Sequence, residues 1–193
     1  MSGKKIVFVY GSLMSFKVLE VLLHRIPKIQ PAYLTGFTRL AQTDKSYPAI
    51  VETISLSLNN FPESIHNDEL RDFFNRIKSD QELAKNGFVQ VSKHNDVNYV
   101  NKVKGLVLKG LTAREIDILD FYEDEEYVKK TVPIVVNYNL NWCVEVADVY
   151  VKNSQENLYN FWSFDAFCGN IESFLPTCVN YRMEYDNKQI NKK

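Results

Sequence analysis

Short, densely apolar runs alternate along the chain with stretches in which apolar residues return every three or four positions. Residues 5–10, "KIVFVY", are continuous rather than alternating, the pattern of a strand buried on both faces. Phe16, Leu19, Leu22, Leu23 and Ile26 then recur at helical spacing, with Ser15 placed to cap that helix and Pro27 to stop it. Strand-like stretches follow around 32–41 and 49–58, and "SYPA" between them reads as a turn.

Residues 59–101 are more polar. Within them Leu70, Phe73, Phe74 and Ile77 form one helical stripe, with Asn67 or Asp68 as its cap and Asn86-Gly87 as the end of the segment. "FVQVS" alternates like a short strand. So few apolar residues do not make a separate core, and the region reads as an insertion in one domain. The stripe would pack onto the domain or, less commonly, offer a surface to a partner.

Strand character returns at 103–109. Next comes "GLTAREIDILDFYEDEEY", where Thr112 and Glu115 make a capping box and Leu111 with Ile116 a hydrophobic staple. This predicts a helix from Ala113 to about Tyr122. Two long strands, 127–138 and 142–152, are joined by a turn at Asn139–Asn141. The last third is helix-rich, with Pro176 expected just beyond a helix end.

On a helical wheel of about 100° per residue, Asp117, Asp120 and Asp124 share one side of the 113–123 helix. Glu123 does not join them. It stands i+4 from Leu119 and i+7 from Ile116, on the apolar stripe. A carboxylate there either finds donors or raises its pKa, which suits acid–base chemistry near neutral pH. The plainer alternative puts Glu123 past a frayed helix end, in water.

Composition narrows the field. With 193 residues the chain suits one domain, and 23 basic against 24 acidic residues give a formal charge of −1. That balance gives no pull toward nucleic acid or an anionic membrane. Three scattered cysteines, Cys143, Cys168 and Cys178, without CxxC spacing argue against a disulfide framework and a zinc site. No apolar run reaches the roughly 18 residues of a membrane span, and the first one is too short for a signal peptide. The expected setting is reducing and cytoplasmic. Nothing in the sequence sets the oligomeric state.

"VFVYGSLM" near the start, "YPAI" at 47–50 and "LDFYEDEEY" far downstream occur in an order that resembles the gamma-glutamylcyclotransferase-like family. The likeness lies nearest to its plant avirulence-induced-gene-like and gamma-glutamylamine cyclotransferase branch, and "NLYNFWSFDAF" resembles the tail of the plant members. It covers about 5–58 and 102–168. The resemblance implies an α+β fold, a small mixed-strand β-barrel with surrounding helices. It divides the chain into one domain at 1–175, interrupted at about 59–101, and a C-terminal tail at 176–193.

The family reaction is an intramolecular aminolysis: the substrate's own α-amine attacks its γ-glutamyl carbonyl, giving 5-oxoproline and a free amine. Carried over, Glu123 is the acid–base residue, and Tyr10, Gly11, Ser12, Leu13, Met14, Tyr47 and Tyr127 bind substrate. Backbone N–H groups of residues 11–14 would hold the oxyanion. The implied partner is a small γ-glutamyl compound, with no metal and no organic cofactor. The leaving amine can be an amino acid, the ε-amine of a lysine or, ranked last, cysteinylglycine. A second class stays open, a catalytically silent binding or regulatory module using the same cavity.

Overall fold

The computed structural model describes residues 5–78, 87–93 and 96–191. Five strands close into a barrel: β1 (Ile6–Val9), β7 (Lys102–Lys109), β2 (Lys28–Thr35), β8 (Tyr127–Tyr138) and β9 (Asn141–Lys152), in that order around it. Neighbours are antiparallel except β1 and β9, which close the barrel in parallel through Val7↔Asp148 and Phe8↔Val149. This is the α+β barrel the resemblance implied.

Strand β1 explains its own unbroken apolar run. Val7 and Val9 pack outward against helices, while Phe8 and Tyr10 fill the barrel with Ala32, Val107 and Val149. Period-two alternation sends the two sets to two different cores, so no position is left for a polar residue. Gly105 is required here, because a Cβ at that position would meet the Phe8 ring at 2.5 Å and the Val9 carbonyl at 2.3 Å.

Helices α1 (Phe16–Leu23), α3 (Ala113–Glu123) and α5 (Ile171–Ile190) cover one side, with the short α4 (Phe164–Gly169) before α5. A second hairpin, β3 (Phe37–Gln42) and β4 (Lys45–Glu52), and a third, β5 (Val89–Lys93) and β6 (Asp96–Val100), lie outside the barrel. Helix α2 (Asp68–Ile77), capped by the Asn67 side chain, buries Leu70, Phe73, Phe74 and Ile77 with Leu40, Ala49 and Val51 of the β3–β4 pair. Its stripe is therefore core and presents no free apolar surface. The expected end at Asn86-Gly87 falls partly outside the described residues.

Three boundaries and one cap bond differ from the sequence expectation. Helix α1 ends at Leu23, not Ile26: His24 takes a left-handed conformation (φ 56°), and Ile26, preceding Pro27, is biased away from helix. Ser15 marks the N-cap position without a side-chain cap bond. "SYPA" is part of β4, and the turn sits at residues 43–44. Pro48 is tolerated because this sheet has only two strands and its register shifts between Leu40 and Gln42. Finally, Pro176 lies inside α5, not beyond a helix end; the buried face Ile171, Phe174, Cys178 and Tyr185 carries the helix through the lost bond. The 139–141 turn forms as expected, with Asn139 and Leu140 both at positive φ, as a type I′ hairpin requires.

Candidate active site

The capping box at the start of α3 forms in both directions, Thr112 with the Glu115 N–H and Glu115 with the Thr112 N–H. Arg25 holds the same Glu115 carboxylate at 2.5 Å, so this end of the helix is pinned. With its start fixed, the helix places Ile116 and Leu119 in the core and delivers Glu123 as its last residue. Asp124, directly after it, sits at φ 58° and ψ −172°, a region in which residues other than glycine are strained by about 1–3 kcal/mol.

Glu123 faces a cavity of about 90 Å³, several times the roughly 10–15 Å³ that one water needs. Tyr10, Gly11, Ser12 and Leu13 form another wall of the same cavity, and Tyr47 and Tyr127 line it too. Its carboxyl has no hydrogen bond or ion pair among the described residues, and burial alone pushes its pKa up to about 8. The apolar-stripe reading of Glu123 therefore prevails over the solvent-exposed one.

Glu126 lies in the same cavity and has the opposite character. Lys45 approaches it at 2.5 Å and Lys152 at 3.2 Å, and these bonds hold its pKa below the usual carboxylate range. Two carboxylates within four residues are thus pushed apart, the arrangement that separates an acid–base group from a permanently ionised one.

The loop after β1 is a short 3₁₀ turn, Ser12–Met14, in which the Met14 N–H is bonded to the Gly11 carbonyl at 2.9 Å. Met14 is thereby corrected: its N–H is already used, its side chain packs on the core, and it does not line the cavity. Gly11 has a negative φ of −127°, so its role is not a left-handed turn. A Cβ there would stand 2.9 Å from the Pro48 ring, so the glycine permits close approach of β4. Ser12 Oγ and Tyr122 OH lie 2.9 Å apart and tie this loop to α3.

The phenols are fixed by neighbours. Tyr10 OH donates to the Tyr150 carbonyl at 2.7 Å, and Tyr127 OH accepts from Gln42 Nε2 at 3.0 Å. Burial raises the pKa of Tyr10, Tyr47 and Tyr127, so all three stay neutral donors.

Sequence reasoning missed part of the wall. Phe174, Thr177 and Tyr181 of α5 line the cavity at i, i+3 and i+7, one face of a helix. That spacing is readable in the sequence, where Pro176 nonetheless reads as a helix end. Lys45 and Tyr122 were also missed, the latter although it lies inside the motif that singled out Glu123.

The family model described as "Gamma-glutamyl cyclotransferase, AIG2-like" matches residues 7–57, the span that holds β1, the Gly11 loop and β4. AIG2-like protein D of Arabidopsis thaliana is 29% identical over 180 residues, which is 92% of this chain and 89% of that protein. AIG2-like protein C of the same plant is 28% identical over 167 residues, 86% of this chain and 71% of the other. A solution structure of an Arabidopsis thaliana protein superposes with a TM-score of 0.52 at 23% identity, covering 95% of this chain and 93% of the other, a likeness of fold. With the barrel, the loop and the downstream glutamate all in place, the chain is similar to gamma-glutamylcyclotransferase-like proteins of the AIG2-like kind, in its first quarter by the family model and over most of its length by these relatives.

Proposed function

We propose that the protein converts a γ-glutamyl compound into 5-oxoproline and a free amine. The observation that carries this reading is Glu123: a lone carboxyl at the end of a pinned helix, facing the Tyr10–Leu13 loop, with a pKa raised to about 8. A substrate's α-ammonium entering beside it supplies the missing counter-charge and favours the carboxylate. Glu123 then accepts a proton from that ammonium. The freed amine nitrogen attacks the γ-carbonyl carbon, and a C–N bond closes a five-membered ring.

Negative charge collects on the former carbonyl oxygen. Gly11, Ser12 and Leu13 line the cavity, and their backbone N–H groups are the donors this reading assigns to that oxygen. Collapse of this intermediate breaks the bond to the leaving amine, which takes the proton held by Glu123; the ring nitrogen then gives its surplus proton to the freed carboxylate, and the released amine carries that proton off as an ammonium. The atoms balance with no water, metal or oxidant consumed. Glu126 is a poor substitute base because two lysines hold it ionised.

The test is 5-oxoproline release from a panel of γ-glutamyl amino acids, a γ-glutamyl-ε-lysine compound and glutathione. Turnover of at least one is expected, with E123Q reduced on the order of 10²–10⁴-fold. Wild-type rates for E123Q, or no turnover across the panel, would overturn the reading. In the latter case a binding module is what remains.

A further inference from the structure

Arg39 leaves β3 opposite Ile50 and reaches past the end of β1. One guanidinium nitrogen donates to the Tyr10 carbonyl at 2.8 Å and more weakly to the Lys104 carbonyl at 3.4 Å. The group stands 5.2 Å from the centre of the Trp162 ring, whose own N–H is fixed on the Ser46 carbonyl at 2.8 Å. Two carbonyls and a ring face stabilise a cation, but none of them is an anion.

Two more cations stand beside it. Lys102 and Lys104 are two apart on β7 and so point to the same outward face. Lys102 is propped over the Tyr33 and Phe88 rings at 4.3 and 4.9 Å. Among the described residues no carboxylate pairs with Arg39, Lys102 or Lys104. Elsewhere the buried or half-buried cations are paired: Lys109 with Glu145, Lys152 with Glu126, Arg182 with Asp186.

Between the three cations lies a second cavity, about 70 Å³, walled by Tyr99, Phe161 and Trp162 and distinct from the Glu123 cavity. That is space for several waters or one tetrahedral oxyanion. Burial pulls the Arg39 pKa down to about 10, which leaves it charged at neutral pH. A carboxyl so placed would take up a proton; a guanidinium has no such escape and calls for a counter-ion.

We propose that this pocket is an oxyanion site, taking a phosphate-class anion on Arg39, Lys102 and Lys104 against the Trp162 ring. Free phosphate and the phosphate of a phosphomonoester share the chemistry. The aromatic walls would add stacking only for an ester that carries a flat group.

The experiment uses the full chain with W142F, which leaves Trp162 as its only tryptophan of two. Inorganic phosphate is titrated against it, with sodium chloride at matched ionic strength as the reference, and fluorescence is read. A saturable change with phosphate alone is expected, weakened at least about tenfold by K102Q/K104Q and abolished by R39Q. Should R39Q fail to fold, since Arg39 also holds the Tyr10 carbonyl, the double lysine variant decides. Adenosine monophosphate in place of phosphate separates the sources: tighter binding assigns a phosphomonoester, equal binding a simple oxyanion. A response no larger than that to chloride, or unchanged affinity in K102Q/K104Q, overturns the proposal.

Discussion

The Glu123 cavity and the Arg39 pocket meet at the same step of the chain, Tyr10–Gly11. Arg39 grips the Tyr10 carbonyl from one pocket, and Gly11 lines the other. Each pocket holds an ionisable side chain that no oppositely charged group pairs with among the described residues. Burial moves each pKa toward the neutral form, Glu123 to about 8 and Arg39 to about 10. Neutral pH lies below both values, so both groups hold their proton, and the consequences differ because the protonated carboxyl is neutral and close to titrating while the protonated guanidinium is a cation. Glu123 is largely protonated at pH 7 and can exchange that proton, whereas Arg39 stays cationic. On the two proposals above, the same cost of desolvation would suit one pocket to proton transfer and the other to an anion.

The largest effect should come from taking the exchangeable proton away. E123Q keeps the side-chain volume and should cut 5-oxoproline release on the order of 10²–10⁴-fold, while circular dichroism remains unchanged. E126Q should fall far less, since Glu126 serves its two lysines; an equal fall would move the base to Glu126.

Gly11 tests whether the step between the pockets is held by packing. Because a Cβ there meets the Pro48 ring at 2.9 Å, G11V should cost roughly 1–3 kcal/mol in chemical denaturation as well as any ligand affinity. Stability equal to wild type would show that β4 yields easily and that the glycine is dispensable to the fold.

The pH dependence of stability isolates Glu123. Its folded pKa of about 8 lies above the ordinary 4.5, so the folded state holds a proton that the unfolded chain releases. Wild type should lose stability relative to E123Q as pH rises through that window, with no further change above about pH 8. The difference should reach about 1–3 kcal/mol, reduced from the full linkage value by water in the cavity. Parallel stability curves from pH 5 to 9 would mean that Glu123 ionises freely.

Arg39 should give the smallest effect. Phosphate at ten times its dissociation constant should stabilise the chain by about 1.4 kcal/mol by mass action, seen as a rise in Tm. K102Q/K104Q should lose that rise while keeping its chloride response. The chemistry at Glu123 does not enter this measurement, so the two halves of the comparison can fail separately.

The sequence by itself determined the features whose causes are near neighbours in the chain. The Thr112–Glu115 capping box, the α2 stripe with its Asn67 cap and the β8–β9 hairpin each depend on contacts within a few residues, and each formed where the pattern put it. Glu123 on the apolar stripe was legible for the same reason, since helical phase is local. Tertiary structure alone decided what surrounds each charge. Glu126 is paired because β4 and β9 bring Lys45 and Lys152 to it, and Glu123 faces a cavity that α5, continuing past Pro176, helps to wall with Thr177 and Tyr181. Arg39 gave no local signal at all, since its isolation rests on the absence, among the described residues, of a carboxylate paired with it or with Lys102 and Lys104, on a strand more than sixty residues away. Desolvation sums over everything packed around a group, and most of what packs around these two is distant in sequence.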